Sequence, residues 1–311
     1  MHALSALSTL PTMRSPPALG PGARVALVAP SGPLRGPHEL SASIAHATEM
    51  GWEATPGLHV LQRNGYLAGT DAERLADLNA AIRDDRIDGI WCVRGGYGAM
   101  RILDGIDYDA MRRHPKTLIG YSDITALHAA FSTRADVVTF HGPTARGALT
   151  EFSRNSLERA TIARADSCGV AAEGRTVRRG VARGRLVGGN LALLAALAGT
   201  SFAPDYRDAI LVLEDVGEPT YRIDRMLRQL VLSGTLAELA GIAFGQFTEG
   251  NDVDENDSRG LDDILRETAE LLSVPAVAGI PLGHIDHQWT VPLGARAELD
   301  ADGCALRVLA H

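Results

Sequence analysis

Apolar residues in this chain fall into short unbroken runs that alternate with segments of helical spacing. Arg24-Val-Ala-Leu-Val-Ala-Pro30 predicts a buried strand, turned by Ser31-Gly32-Pro33. Residues 40–50 have helical spacing and stop at Gly51. Residues 52–60 read as a second strand, interrupted by Pro56 and Gly57. Thr70, with Glu73 three positions later, makes a capping box for a helix that turns Leu75, Leu78 and Ile82 inward. Residues 87–93 predict a third strand. It runs into Arg94-Gly-Gly-Tyr-Gly98 and then a helix from Ala99 carrying Ile102 and Leu103. Residues 116–120 predict a fourth strand, and residues 123–131 a helix with Ile124, Leu127 and Phe131 on one face. Residues 137–143 predict a fifth strand and turn.

Alternation of strand and helix predicts an α/β unit with a mostly parallel, flavodoxin-like sheet, helices on both faces and a site at the C-terminal strand ends. The composition changes over residues 144–183, which are rich in Arg and Ala, and residues 151–183 read as a crossing segment between an N-terminal domain over 21–150 and a second unit over 184–311. The second unit opens at Gly184-Arg-Leu-Val-Gly-Gly-Asn190, followed by a short helix over 191–197. Strands are expected over 209–215, 242–247 and 275–280, and helices over 221–232 and 261–272. Three short closing strands are expected over 290–294, 296–299 and 305–309. Residues 1–20 read as a disordered or loosely packed extension, with Met13 an alternative start, and residues 251–258 as an acidic surface loop.

With 311 residues, 45% of them hydrophobic, the chain can bury a large core. Its net charge of −8 and the lack of a Lys/Arg run give no reason to expect nucleic acid or an anionic membrane as a partner. Three cysteines (Cys92, Cys168, Cys304) are too few and too scattered for a disulfide framework or a zinc site, and fit a reducing, cytoplasmic setting. No apolar run approaches the ~20 residues of a membrane helix.

Candidate chemistry centres on Ile119-Gly-Tyr-Ser-Asp-Ile124. Ser122 falls where a strand turns sharply into a helix, the place of a nucleophile elbow, although Ile124 replaces the second glycine of the usual G-x-S-x-G. On local sequence alone, Ser122 or Asp123 simply capping that helix is the more common arrangement, because caps far outnumber nucleophiles. The glycines of 95–98 sit at a second strand-to-helix turn and can present N–H groups to an anion or oxyanion, or serve only a tight turn. A serine nucleophile needs a base and a group to orient it. Glu214 and Asp215 end an apolar strand and are candidate orienters. His284 follows a strand and a Pro-Leu-Gly turn and is the candidate base, with His287 and His141 as rivals. Metal-assisted hydrolysis is the competing chemistry, with His284, Asp286 and His287 as possible ligands, but there is no H-E-x-x-H. A non-catalytic small-ligand-binding protein with a hinged cleft is the reading from another class.

Arg94-Gly-Gly-Tyr-Gly98, Ile119–Ile124, Gly188-Gly-Asn-Leu191, Leu213-Glu-Asp215, and Gly283-His284 followed by Thr290-Val-Pro-Leu-Gly294 together resemble the LD-carboxypeptidase family of serine peptidases, in order and over nearly the whole chain. The resemblance implies a C-terminal swivelling β/α domain and a triad of Ser122, Glu214 and His284. It implies an oxyanion hole from the N–H groups of Gly96 and Asp123, no metal or other cofactor, and a homodimer. The implied substrate is a murein tetrapeptide, from which the terminal D-Ala is removed in the cytosol during cell-wall recycling. One branch of the family instead hydrolyses a peptide–nucleotide antibiotic in self-immunity. Arg94, Tyr97 and Arg225 are the candidates for holding substrate, the two arginines for its terminal carboxylate.

Overall fold

In the computed structural model, which describes residues 13–250 and 259–309, the chain forms two α/β units, each on its own sheet. In the first, α1 (Pro37–Glu49) links β1 (Arg24–Val28) to β2 (Glu53–Pro56), and α2 (Asp71–Arg83) leads to β3 (Gly89–Cys92). Next, α3 (Tyr108–Arg113) leads to β4 (Thr117–Gly120), and α4 (Thr125–Ala135) to β5 (Thr139–His141). The five strands pair in parallel in the order 2-1-3-4-5, the flavodoxin-like order. β3 and β4 are buried at every position, which is why they read as unbroken apolar runs rather than as alternation.

The second unit follows α5 (Glu151–Thr161). Its elements are β6 (Gly169–Val170), β7 (Arg175–Arg178), β8 (Val181–Asn190), α6 (Leu191–Leu197), β9 (Ala209–Val216), α7 (Thr220–Leu232), β10 (Gly241–Thr248), α8 (Leu261–Leu272) and β11 (Ala276–Ala278). β12 (Val291–Leu293), β13 (Arg296–Asp300) and β14 (Ala305–Val308) close the chain. The strand order is 6-14-13-8-9-10-11-7, with β8 to β11 parallel. The sheet curls until its edges nearly meet: Thr176 Oγ1 of β7 donates to Ala301 O, after β13, at 2.7 Å. Leu186, Ile210, Val212, Val277 and Leu306 fill the inside of the curl. On the outside, Leu194, Ile223, Leu227 and Ile264 of α6 to α8 pack on Leu211, Leu213 and Phe244.

Local patterning went astray in four places. Residues 57–60 leave the sheet after Pro56, so the second strand is only four residues long. The helix expected from Ala99 is a 3-10 segment, Ala99–Gly105, and α3 follows it. The crossing segment holds a well-formed helix, α5, and two edge strands of the second sheet. Residues 13–20 are packed rather than loose: Arg14 N donates to Asp136 O at 2.7 Å, Val138 N donates to Arg14 O at 2.9 Å, and Met13 and Leu19 are buried. Isolated apolar residues between prolines show no period, yet each can fill a gap in an existing core. The expectations for residues 1–12 and for the loop over 251–258 lie outside the described residues.

β8 also touches the first unit. Asn190 N donates to Thr125 Oγ1 of α4 at 2.9 Å. Gly188 has φ +144°, and a Cβ there would lie 1.9 Å from Val212 O of the neighbouring strand. A main-chain oxygen in a parallel ladder cannot swing aside. Gly188→Ala is therefore expected to cost at least about 2 kcal/mol of stability, read as a lower denaturant midpoint. An unchanged midpoint would mean that β8 can rebuild its backbone here.

Candidate active site

Ser122 emerges at the C-terminal end of β4. Tyr121 is extended, and Ser122 has φ +64°, the left-handed region that side-chain-bearing residues seldom enter. A single 3-10 turn, Ser122–Ile124, then runs into α4. Gly95, at the end of the neighbouring β3, passes so close that a Cβ on it would stand 2.9 Å from Ser122 Cβ. Only glycine lets the Gly-rich turn lie against the serine.

Capping does not account for either residue: the N-cap of α4 is Ile124, and no side chain bonds there. The buried Asp123 carboxylate reaches the other way and accepts from Ala99 N at 2.8 Å, fastening the Gly-rich turn to the serine turn. Its burial raises its pKa. Among the described residues, neither Gly96 N nor Asp123 N is taken up by a main-chain carbonyl.

Strand alternation decides between the two acids at the end of β9. Glu214 is fully buried, and its Oε2 lies 2.8 Å from His284 Nδ1. Asp215 faces away. It accepts from Asn190 Nδ2 at 2.9 Å, Ala192 N at 2.9 Å and Val216 N at 2.8 Å, tying the end of β8 to the start of α6. His284 Nε2 lies 3.1 Å from Ser122 Oγ. With Nδ1–H donating to Glu214, the Nε2 lone pair faces the serine hydroxyl. The three side chains come from two different sheets. The Tyr121 ring packs edge-on against the His284 ring at 4.9 Å and limits its rotation.

Burial pushes the Asp215 carboxyl up to about 6. Between pH 4 and 6 the folded chain therefore keeps a proton that the unfolded chain gives up. This group alone makes the fold less stable as pH rises through that window. Asp215→Asn is expected to remove this contribution, so that Tm changes less unfavourably from pH 4 to 6 than in the unsubstituted protein; an unchanged slope would place the titration elsewhere.

The rival histidines are used differently. His141, at the end of β5, is fully buried, and burial holds its pKa well below the usual value. His287 is exposed and turns toward Thr150 Oγ1, 3.2 Å away. Among the described residues, no three His, Cys, Asp or Glu side chains gather as metal ligands. Arg94 is half-buried beside the Gly-rich turn and donates to Pro33 O. Tyr97 is exposed and pairs edge-on with Tyr66 at 5.5 Å. Arg225 lies on the exposed side of α7, stacked over Tyr221 at 5.4 Å, and no contact joins it to the three residues among the described residues.

A cavity of about 160 Å³ opens beside His284, lined among others by Tyr121, Thr144, Asp286 and Gln288. Its outer wall is held by α5, which periodicity left undefined. Thr150 caps that helix through Ser153 N. Ser153 Oγ donates to Asp286 O at 2.7 Å and accepts from Gln288 N at 2.9 Å. Ser156 Oγ accepts from Thr290 N at 2.8 Å. Two buried serines thus clamp the segment that follows His284. Thr150 before a helical stretch was the one local signal for this element.

Residues 25–142 match the LD-carboxypeptidase N-terminal domain, and residues 183–299 the LD-carboxypeptidase C-terminal domain. A putative carboxypeptidase of Streptomyces coelicolor is 46% identical over 300 residues, covering 92% of this chain and 93% of that one. The murein tetrapeptide carboxypeptidase of Pseudomonas aeruginosa is 37% identical over 293 residues, covering 90% and 94%. The crystal structure of an MccF-like protein of Bacillus anthracis resembles this fold with a TM-score of 0.85 at 25% identity, covering 96% of this chain and 100% of that one.

Proposed function

The chain belongs to the LD-carboxypeptidase family of serine peptidases, and from that premise we propose that it removes the terminal D-Ala of murein tetrapeptides through Ser122, His284 and Glu214. Family membership makes the chain a hydrolase and sets aside the non-catalytic binding protein. The observation that carries the proposal is the unbroken relay of 3.1 Å and 2.8 Å from a strained serine to a fully buried carboxylate.

His284 Nε2 takes the Ser122 proton as Oγ attacks the scissile carbonyl carbon. Glu214 holds Nδ1–H and stabilises the imidazolium that forms. The N–H groups of Gly96 and Asp123 receive the developing oxyanion, each worth roughly 3–4 kcal/mol in a comparable site. His284 then gives its proton to the departing amine of D-Ala, which leaves an acyl-Ser122 ester. Water attacks the ester by the same route and frees the shortened peptide and the serine. Arg94 and Tyr97, on the turn that carries Gly96, are the nearest candidates for contact with substrate. A cytosolic place of action and a homodimer complete the proposal; cell fractionation and light scattering read them out.

Mass spectrometry of the protein incubated with L-Ala-γ-D-Glu-meso-diaminopimelate-D-Ala tests the reaction. Loss of one D-Ala is expected. An intact peptide in the presence of folded protein would overturn the murein reading. The likeness to an MccF-like protein favours the second reading, an immunity-type hydrolase of a peptide–nucleotide antibiotic, since MccF is the microcin C7 self-immunity protein. Release of the nucleotide part from such a conjugate, with no tetrapeptide cleavage, would select it.

A further inference from the structure

Four arginines converge at the C-terminal ends of β1 and β3, where the strand order of the first sheet reverses, around a single carboxylate. Arg146 Nη1 lies 2.9 Å from Glu39 Oε1, and Arg35 Nε lies 4.0 Å from the same oxygen. Arg94 Nη1 donates to Pro33 O, and Arg63 Nη2 donates to Leu34 O at 3.0 Å. Main-chain bonds from Ala145 N to Cys92 O (3.0 Å) and from Arg146 N to Val93 O (3.3 Å) lay the loop after β5 across the end of β3. Arg146 is thereby held between the cavity beside His284 and the Gly-rich turn.

Among the described residues, four positive charges stand against one negative and leave an excess of three, in a chain whose formal net charge is −8. Like charges held side by side repel one another: the half-buried Arg94 meets Arg146 on the inside and the exposed Arg35 and Arg63 at the rim, and its burial together with the other three arginines disfavours its charged form. Arg146 Nε is buried with no hydrogen-bond partner among the described residues. A fold tolerates such crowding where an anion completes it, and the switch point of a doubly wound sheet is where ligands sit.

We propose that this cluster is an anion subsite of the active-site cleft, taking a free carboxylate of the peptide substrate with Arg146 as its central donor. The proposal rests on the murein-peptide reading. Glu39 holds Arg146 in place while the subsite is empty and competes with the substrate for it. A murein tetrapeptide carries three candidate carboxylates: on the terminal D-Ala, on the γ-linked D-Glu and at the far end of diaminopimelate. Arginine fits this task because its guanidinium pairs with a carboxylate through two parallel hydrogen bonds.

The test is calorimetric binding to Ser122→Ala protein, which separates recognition from turnover. The probes are the free-acid tetrapeptide and three versions, each with one carboxylate converted to the amide. One amidation is expected to weaken binding by about tenfold or more, and it identifies the carboxylate. Adding Arg146→Gln is expected to weaken the free-acid peptide by a similar factor and to abolish the penalty of that amidation. Adding Glu39→Gln is expected to tighten binding, and serves as the second variant should Arg146→Gln fold poorly. Equal binding of all four peptides, or an undiminished amide penalty in folded Arg146→Gln protein, would overturn the subsite. Wild-type turnover is followed in parallel. Cleavage with no carboxylate dependence removes the subsite and leaves the carboxypeptidase; carboxylate-dependent binding with no cleavage does the reverse.

Discussion

Ser122→Ala is expected to lower kcat for D-Ala release by about 10⁴ to 10⁶-fold while leaving peptide binding nearly intact. The hydroxyl is the attacking atom in the proposed mechanism, and no neighbouring side chain can replace it. Its loss should not disturb the fold. The Ser122 side chain bonds only to His284 among the described residues, and alanine suffers the same left-handed strain at φ +64°. Ser122→Gly is the companion variant. It is equally inactive, but glycine relieves the strain and should raise stability by roughly 1 kcal/mol. Steady-state kinetics and thermal unfolding of the two variants separate the chemical role from the conformational one. Retention of a tenth or more of wild-type turnover by folded Ser122→Ala protein would mean that the nucleophile lies elsewhere.

Glu214→Gln is expected to reduce kcat by about 10⁴-fold with little change in KM. A glutamine amide can donate to Nδ1, which leaves the proton on Nε2 and turns the ring into a donor toward Ser122. It also removes the buried negative charge that stabilises the imidazolium. Asp215→Asn, one residue away on the opposite face of β9, makes no contact with His284 and should spare catalysis. The pair of variants is informative because composition and position in the sequence do not distinguish the two acids. A loss of less than tenfold in Glu214→Gln would mean that ring packing against Tyr121 suffices to orient His284.

Much of the first unit was legible in advance because its strands are covered on both faces. A strand buried throughout, such as Gly89–Cys92, must be apolar at successive positions, and glycine must follow where the chain turns against a neighbour. The same reasoning placed Ser122 at a strand end. It failed where a segment carries few apolar residues of its own. α5 has buried serines and a threonine on its inner face, so its apolar period is weak, and its role as the clamp on residues 286–290 shows only in Ser153 and Ser156. Arg146 escaped notice because it lies in a loop and acts with partners far away in the chain.

The sequence by itself determined the α/β class, the run of strands and helices in each half, and a short set of chemical candidates. These depend on neighbours along the chain, through spacing, caps and turns. Only the tertiary structure decided which residues meet. It sent β12 across to pair with β5, with Val291 opposite His141, although its neighbours in sequence belong to the other sheet. It turned Glu214 rather than Asp215 toward the histidine. It brought His284 from one sheet to within 3.1 Å of Ser122 on the other. Residues 162 positions apart meet through the packing of two separate sheets, and no local pattern carries that distance.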